Sequence, residues 1–268
     1  MMVLSAFTAY AGALILGNLW AGLVIGILTG VTMSLVLVGM CVRLPLSQLV
    51  VGFALYIAGL GLSSFLNDEK LIPGGLQRVQ GFPAIGIPYL QNIPIIGPIL
   101  FSQNILTYIG LLLVPLSYFI LTRTSIGLTI KSVGENPGAA RSLGLGVLKT
   151  RTLCVIFGGA MAGFGGAFLT LGYVNFFSDG MTAGTGWIAL AIVILGSWSP
   201  FRVLVGALLF GISESLGLYV QAIGSGIPSS LTAMFPYILT VVVLSLVALR
   251  RSGRGPAALG KPFLKEER

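Results

Sequence analysis

The sequence predicts an all-α integral membrane protein, a polytopic bundle of about eight transmembrane helices. Three observations carry that expectation. Charge is scarce, with 8% of residues Asp, Glu, Lys or Arg and 56% hydrophobic, whereas about a quarter of a soluble domain is charged. The mean hydropathy is +1.00, and the apolar residues fall in runs of bilayer length separated by short polar breaks. Glycine makes up 38 of 268 residues, about twice the ordinary share, and within apolar helices that excess lets backbones approach closely.

The elements follow in order. Met2 to Gly17 has no basic leader and no convincing cleavage site, so it reads as a retained span, short for a full crossing. Leu19 to Cys41 reaches the roughly 20 residues that a bilayer helix needs. Beyond the polar break VRLPLSQ, Gln48 to Leu66 forms a third span. Residues 67–104 are expected to be an irregular outer loop, because Pro73, Gly74, Gly75, Pro83, Pro88, Pro94 and Pro98 oppose a regular helix. Ile105 to Leu121 spans again, residues 123–151 form a polar connection, and Thr152 to Leu171 returns. After the irregular GYVNFFSDGMTAGTG, the run Trp187 to Leu195 is too short for a whole crossing, so a half-helix or a re-entrant segment fits there. Leu204 to Val220 and Leu231 to Leu249 complete a single domain over residues 1–268, with a polar tail from 250 to 268.

Charge orients this layout. The net charge is +8, and thirteen of the fifteen Lys and Arg residues fall on the side that carries the 123–151 connection and both termini, leaving Lys70 and Arg78 opposite. The positive-inside rule then places that side in the cytoplasm. The same distribution favours an anionic lipid surface over nucleic acid as the partner of the basic residues. Several chemistries are excluded. There is no His, and Cys41 and Cys154 both fall at expected spans near the inner side, so neither a metal centre nor a disulfide is expected. Gly158, Gly159, Gly163, Gly165 and Gly166 are followed by no P-loop Lys-Ser/Thr, so they read as packing glycines rather than a phosphate cradle. No nucleophile–base pair or cofactor fingerprint appears, and no catalytic residue is assigned.

Within the polar connection, Lys131 to Gly146 (KSVGENPGAARSLGLG) carries marks for a short rigid helix. Asn136 is a good N-cap, and Pro137 sits where its missing N–H costs nothing. Gly144 or Gly146 supplies a left-handed stop, and Glu135 at the start with Arg141 near the end complements the helix dipole. Two readings of these residues stand side by side: a docking surface, or a helix that only tidies a cytoplasmic loop.

The string GENPGAARSLGLGV, followed by FGGAMAGFGGAF, GTGWIALAIVILGSWSP and GALLFGISESL, resembles the permease subunit of bacterial ABC importers. The branch is the one for nucleosides and simple sugars, related to the ribose and branched-chain amino acid permeases. The resemblance covers almost the whole chain and is densest from Ser125 to Leu218. It implies that the short helix is a coupling helix seated in a cleft of an ATP-hydrolysing subunit, through Gly134, Glu135, Asn136, Pro137, Ala139, Ala140 and Gly144, to which the dipole argument adds Arg141. It implies no cofactor of the chain's own, since ATP is bound by the partner. The partners implied are ATP-binding subunits, a second homologous permease, an extracytoplasmic solute-binding protein and membrane lipid, at the bacterial cytoplasmic membrane. Relatives usually carry a further hydrophobic helix before the segment that corresponds to Met1, so a helix of the family is expected to be missing here. Transport of branched-chain amino acids is the alternative within the family. An ion-driven secondary transporter is the alternative outside it, and would show ionisable residues in several spans.

Three residues are candidates for the substrate path. Glu214 is the only acidic residue in an expected span and should face a bundle interior, a cavity or a partner. It serves either a substrate hydroxyl or a structural bond. Trp187 heads a span, as an interfacial anchor or as a stacking surface. Asn175, with Asp179, lies in the irregular outer segment, either meeting solute or solvated in a loop.

Overall fold

The structure, a computed structural model, describes residues 1–44, 46–67, 78–86, 101–182, 184–223, 228, 231, 234–249 and 255–261. Their helices run α1 (Met2–Leu16), α2 (Leu19–Leu37), α3 (Gln48–Leu66), α4 (Ile105–Arg123), α5 (Ser125–Glu135), α6 (Pro137–Ser142), α7 (Val147–Phe168), α8 (Thr185–Leu195), α9 (Pro200–Ala222) and α10 (Phe235–Leu249). Short π-helical stretches extend α2 over Val38–Arg43 and α7 over Leu169–Tyr173, with Leu44 N–H reaching Gly39 O and Val174 N–H reaching Leu169 O, five residues back. Among the described residues, five helical segments are long and apolar enough to cross a membrane: Leu19–Arg43, Gln48–Leu66, Ile105–Arg123, Val147–Tyr173 and Pro200–Ala222. α1, α8 and α10 are apolar but shorter, at 15, 11 and 15 residues.

Most boundaries follow local chemistry. Asn18 caps α2 with its side chain, accepting the Trp20 N–H at 2.9 Å, and Gly17 ends α1 at φ 60°. Pro200 opens α9 at a position where its ring is harmless. The expected outer loop is partly described: Ala84–Gly86 (β1) pairs antiparallel with Ser102–Asn104 (β2), while the prolines at 73, 88, 94 and 98 lie outside the described residues.

The chain divides into two compact units. The first comprises Met1–Leu112, Asn136–Ala183 and Gly260–Arg268, and its centre is α1, α2 and α7 packed backbone to backbone. A Cβ on Gly30 would strike Gly159 O and Gly163, one on Gly166 would strike Met2 O, and one on Gly22 would lie 2.8 Å from the Ala13 side chain. Gly159, Gly163 and Gly166 are therefore packing glycines, whereas a Cβ on Gly158 would meet nothing within 4 Å. Thr170 Oγ1 donates to Ala6 O at 3.0 Å inside this seam, and Phe7 meets buried Phe177 edge-on with ring centres 5.3 Å apart.

The second unit comprises Leu113–Glu135 and Gly184–Leu259. α8, α9 and α10 pack together there, with Gly206 of α9 tight against Ile192 of α8. The turn between α8 and α9 is sharp: Ser197 and Trp198 both adopt positive φ, at 50° and 57°, and a Cβ on Gly196 would lie 2.7 Å from Val203 N. α5 starts in close contact with the end of α4, because Gly127 lies against the backbone of Ile120 and Leu121. Its first turn is capped by Thr124 Oγ1, which accepts the Gly127 N–H at 3.2 Å.

Candidate functional site

In the first unit, the six residues of α6 are defined by their caps. Asn136 Oδ1 accepts the Ala139 N–H at 3.0 Å, Pro137 occupies the first turn, and Gly144 takes φ 79° just past the end. Three backbone bonds close the far end: Leu143 N–H to Ala139 O, Gly144 N–H to Arg141 O and Leu145 N–H to Ala140 O, at 3.2, 2.9 and 3.0 Å. Ala140 is the inward residue, 2% exposed. Gly138, Ala139, Arg141 and Ser142 face outward. The exposed face is thus small and flat, with one cation at its C-terminal end.

A feature missed by sequence reasoning completes this face. Leu143 is 79% exposed at the foot of α6, an apolar side chain standing in solvent beside a charged one. Its signal was an apolar residue directly before a helix-ending glycine, which reads equally well as a hydrophobic C-cap contact. Between the end of α6 and the start of α7 lies a cleft of about 400 Å³, lined by Arg141, Gly144, Leu145, Gly146, Val147 and Lys149 among others. The arrangement offers an exposed leucine, two cations and a rigid helical edge. It can seat in a groove with apolar and acidic lining, and it carries no group suited to bond-breaking.

Gly134 and Glu135, directly before Asn136, close α5. Glu135 is the last residue of α5, in the second unit, and its carboxylate accepts the Ala257 N–H at 3.5 Å, while Gly134 O accepts the Ala258 N–H at 3.0 Å. The expected places of Glu135, beside the start of α6 and among the coupling residues, did not include this engagement. The cause is a tail segment expected to be merely polar that instead folds against α5.

The substrate-path candidates lie on different elements. Glu214 is exposed on the surface of α9, fourteen residues beyond Pro200. Trp187 sits in the first turn of α8, 52% exposed, with its N–H bonded to Gly184 O at 2.8 Å. Asn175 belongs to the first unit, where the solvated-loop reading is corrected. It adopts φ 63°, its backbone O accepts the Val79 N–H at 3.0 Å, and its Oδ1 is buried against Gly81 without a hydrogen-bond partner. Asn175 therefore latches residues 79–81 over the end of α7, helped by Phe82 N–H to Leu171 O at 2.9 Å. Asp179 Oδ1 accepts from Asn67 Nδ2 at 3.4 Å. The latched segment forms a second cleft in this unit, of about 470 Å³, at the opposite end of α7 from α6. Trp20 and Phe82 meet edge-on there at 5.0 Å, with Asn18, Arg78 and Gln80 on its rim. Among the described residues, no group of three or more His, Cys, Asp or Glu converges on a common point.

Residues 1–244 match the family described as the permease component of the branched-chain amino acid transport system. The chain is 34% identical to TsgC13 of Haloferax volcanii, provisionally named a glucose ABC transporter permease, over 99% of this chain and 87% of that one. It is 33% identical to NupQ of Bacillus subtilis, a guanosine ABC transporter permease, over 100% and 86%. It is 34% identical to NupC of Lactococcus lactis, a nucleoside ABC transporter permease, over 85% and 73%. The last two organisms each hold a second permease that also matches this chain. No solved structure matches it.

Proposed function

The chain belongs to the family of ABC transporter permease components of the branched-chain amino acid transport type, among nucleoside and sugar permeases, and from that premise we propose that it is the membrane subunit of an importer for nucleosides or simple sugars. A partner subunit binds and hydrolyses ATP. α6 is the coupling helix that this partner grips, and the observation that carries the reading is its construction: a six-residue helix capped at both ends, with Leu143 and Arg141 turned outward. A flexible linker would join α5 to α7 without such an edge.

Closure of two motor domains on ATP moves α6 as a rigid body, and the bundle alternates between outward and inward openings. The five long spans together with α1, α8 and α10 make eight crossings or part-crossings, α8 being the re-entrant candidate. The layout expected from the sequence, with thirteen of fifteen basic residues on the side of the 123–151 connection, supports cytoplasmic termini. Exposed Glu214 supports a second permease subunit. A carboxylate within a 23-residue apolar helix is costly to leave against hydrocarbon, and Ala207, Gly211 and Ser215 make an exposed small-residue row on the same helix. The segment 67–104 is the expected dock of an extracytoplasmic solute-binding protein.

The test is reconstitution with the ATP-binding partners and the binding protein in vesicles, with uptake of labelled guanosine, glucose and leucine compared. ATP-dependent accumulation of a nucleoside or sugar is expected. Leucine uptake would select the branched-chain amino acid reading that the family description favours, and uptake independent of ATP would replace both by an ion-driven transporter.

A further inference from the structure

Residues 255–259 are built into the second unit by contacts that a passive tail would not make. Ala258 N–H donates to Gly134 O at 3.0 Å, supplying a donor to one of the end carbonyls that a helix leaves unpaired. Ala257 N–H reaches the Glu135 carboxylate at 3.5 Å, and Leu259 N–H closes a turn onto Pro256 O at 2.9 Å. Pro256 lies where a Cβ on Gly134 would come within 3.4 Å of its ring. On the other side, a Cβ on Gly255 would come 2.7 Å from the Trp198 indole, so only glycine lets the chain pass there. Trp198 is itself fixed in the α8–α9 turn, with its N–H on Val193 O at 3.2 Å and φ at 57°.

α5 is consequently held at both ends. Its start is pressed on Ile120 and Leu121 and capped by Thr124. Its end is capped from more than a hundred residues downstream and joined through Gly255 to Trp198. Asn136 follows Glu135 directly in sequence, so a displacement of α6 enters α5 through a single peptide junction. A helix end with free carbonyls frays and absorbs such a displacement. A capped end passes it on.

We infer that Gly255–Leu259 is a positioning clip of the transport cycle, which caps the last turn of α5 and ties it to Trp198 so that motion of α6 is delivered to α5 and the α8–α9 turn as one body. The inference rests on α6 being the coupling helix. Ala257 and Ala258 position, through their N–H groups, and touch neither solute nor nucleotide.

The experiment separates the clip from that reading. In the chain purified alone, hydrogen exchange of the last turn of α5 is measured for the wild type, for A257P/A258P, which lacks both donors, for A257S/A258S, which keeps them, and for a truncation after Arg254. Loss of the cap should speed exchange there by about 2- to 12-fold in the proline variant and the truncation, with the serine variant unchanged. Unchanged exchange in the truncation, or in the proline variant if the truncated chain does not fold, overturns the clip whether or not the importer reading stands. In the reconstituted importer, the same variants should hydrolyse ATP at the wild-type rate yet import less solute per ATP. Faster exchange with an unchanged solute-to-ATP ratio overturns the positioning role and leaves a merely structural contact. Failure of α6 to crosslink to any ATPase would strike the coupling reading instead, and would leave the exchange result intact.

Discussion

Asn136→Ala tests the construction of α6 directly. The variant deletes the Oδ1 that accepts the Ala139 N–H at 3.0 Å, and an N-cap of this kind is worth about 1 kcal/mol, within about 0.5–2. Six residues are too few for helix propensity to hold the segment unaided, since isolated helices shorter than about 12–15 residues are marginal. The cap therefore accounts for a large part of what keeps the helix formed. A loss of about 1 kcal/mol shifts the balance between formed and frayed helix by about fivefold. Hydrogen exchange of residues 139–143 in the purified chain should quicken by that factor in Asn136→Ala and by less than about twofold in Asn136→Asp, which caps equally well. In the reconstituted importer the Ala variant should then import less solute per ATP hydrolysed, with binding-protein affinity untouched. Wild-type exchange in Asn136→Ala would refute the capping argument. Quickened exchange with intact coupling would refute the role assigned to the helix.

Three further outcomes are expected. Gly159→Ala should lower thermal stability in detergent by about 1–3 kcal/mol, because its Cβ would meet the Ser34 side chain and Gly30 O. Gly158→Ala next to it should be neutral, and equal effects would contradict the backbone contact. Leu143→Asp should weaken recovery of the ATP-binding subunit by about tenfold or more, since burying a leucine is worth about 1.5–3 kcal/mol, while leaving the melting temperature of the isolated chain unchanged because the side chain is 79% exposed. Glu214→Leu should reduce co-purification of the second permease subunit. Unaltered or improved assembly, as expected for a lipid-facing position, would remove the argument from Glu214.

Much of the fold was legible because the bilayer imposes it. Gln48–Leu66 was bounded by polar residues on both sides and forms a helix over those limits. α6 was legible because Asn136, Pro137 and Gly144 each restrict the backbone in a way that does not depend on distant residues. The π stretches were not, since Val38–Arg43 and Leu169–Tyr173 have the same apolar composition as the helices they extend. Nor was the difference between Gly158 and Gly159, which are identical in sequence terms and diverge only because one of them faces α2. Glu135 and the tail were illegible for another reason. The Ala257 and Ala258 donors are main-chain N–H groups, and no side-chain pattern marks a backbone segment that pairs with another across more than a hundred residues.

The glycine seam of the first unit also bears on how the protein is made. α2 ends its regular turns at Leu37, and the chain must grow by about 110 residues before Val147 opens α7, which at about 5–20 residues per second occupies roughly 5–20 s. During that interval Gly30 of α2 lacks the α7 backbone at Gly159 and Gly163 against which it packs in the finished fold, whereas Gly26 already has Ser5 and Ala9 of α1 beside it. Until its third member arrives, the seam must therefore be held by the α1–α2 contacts together with those that α3 makes to both helices.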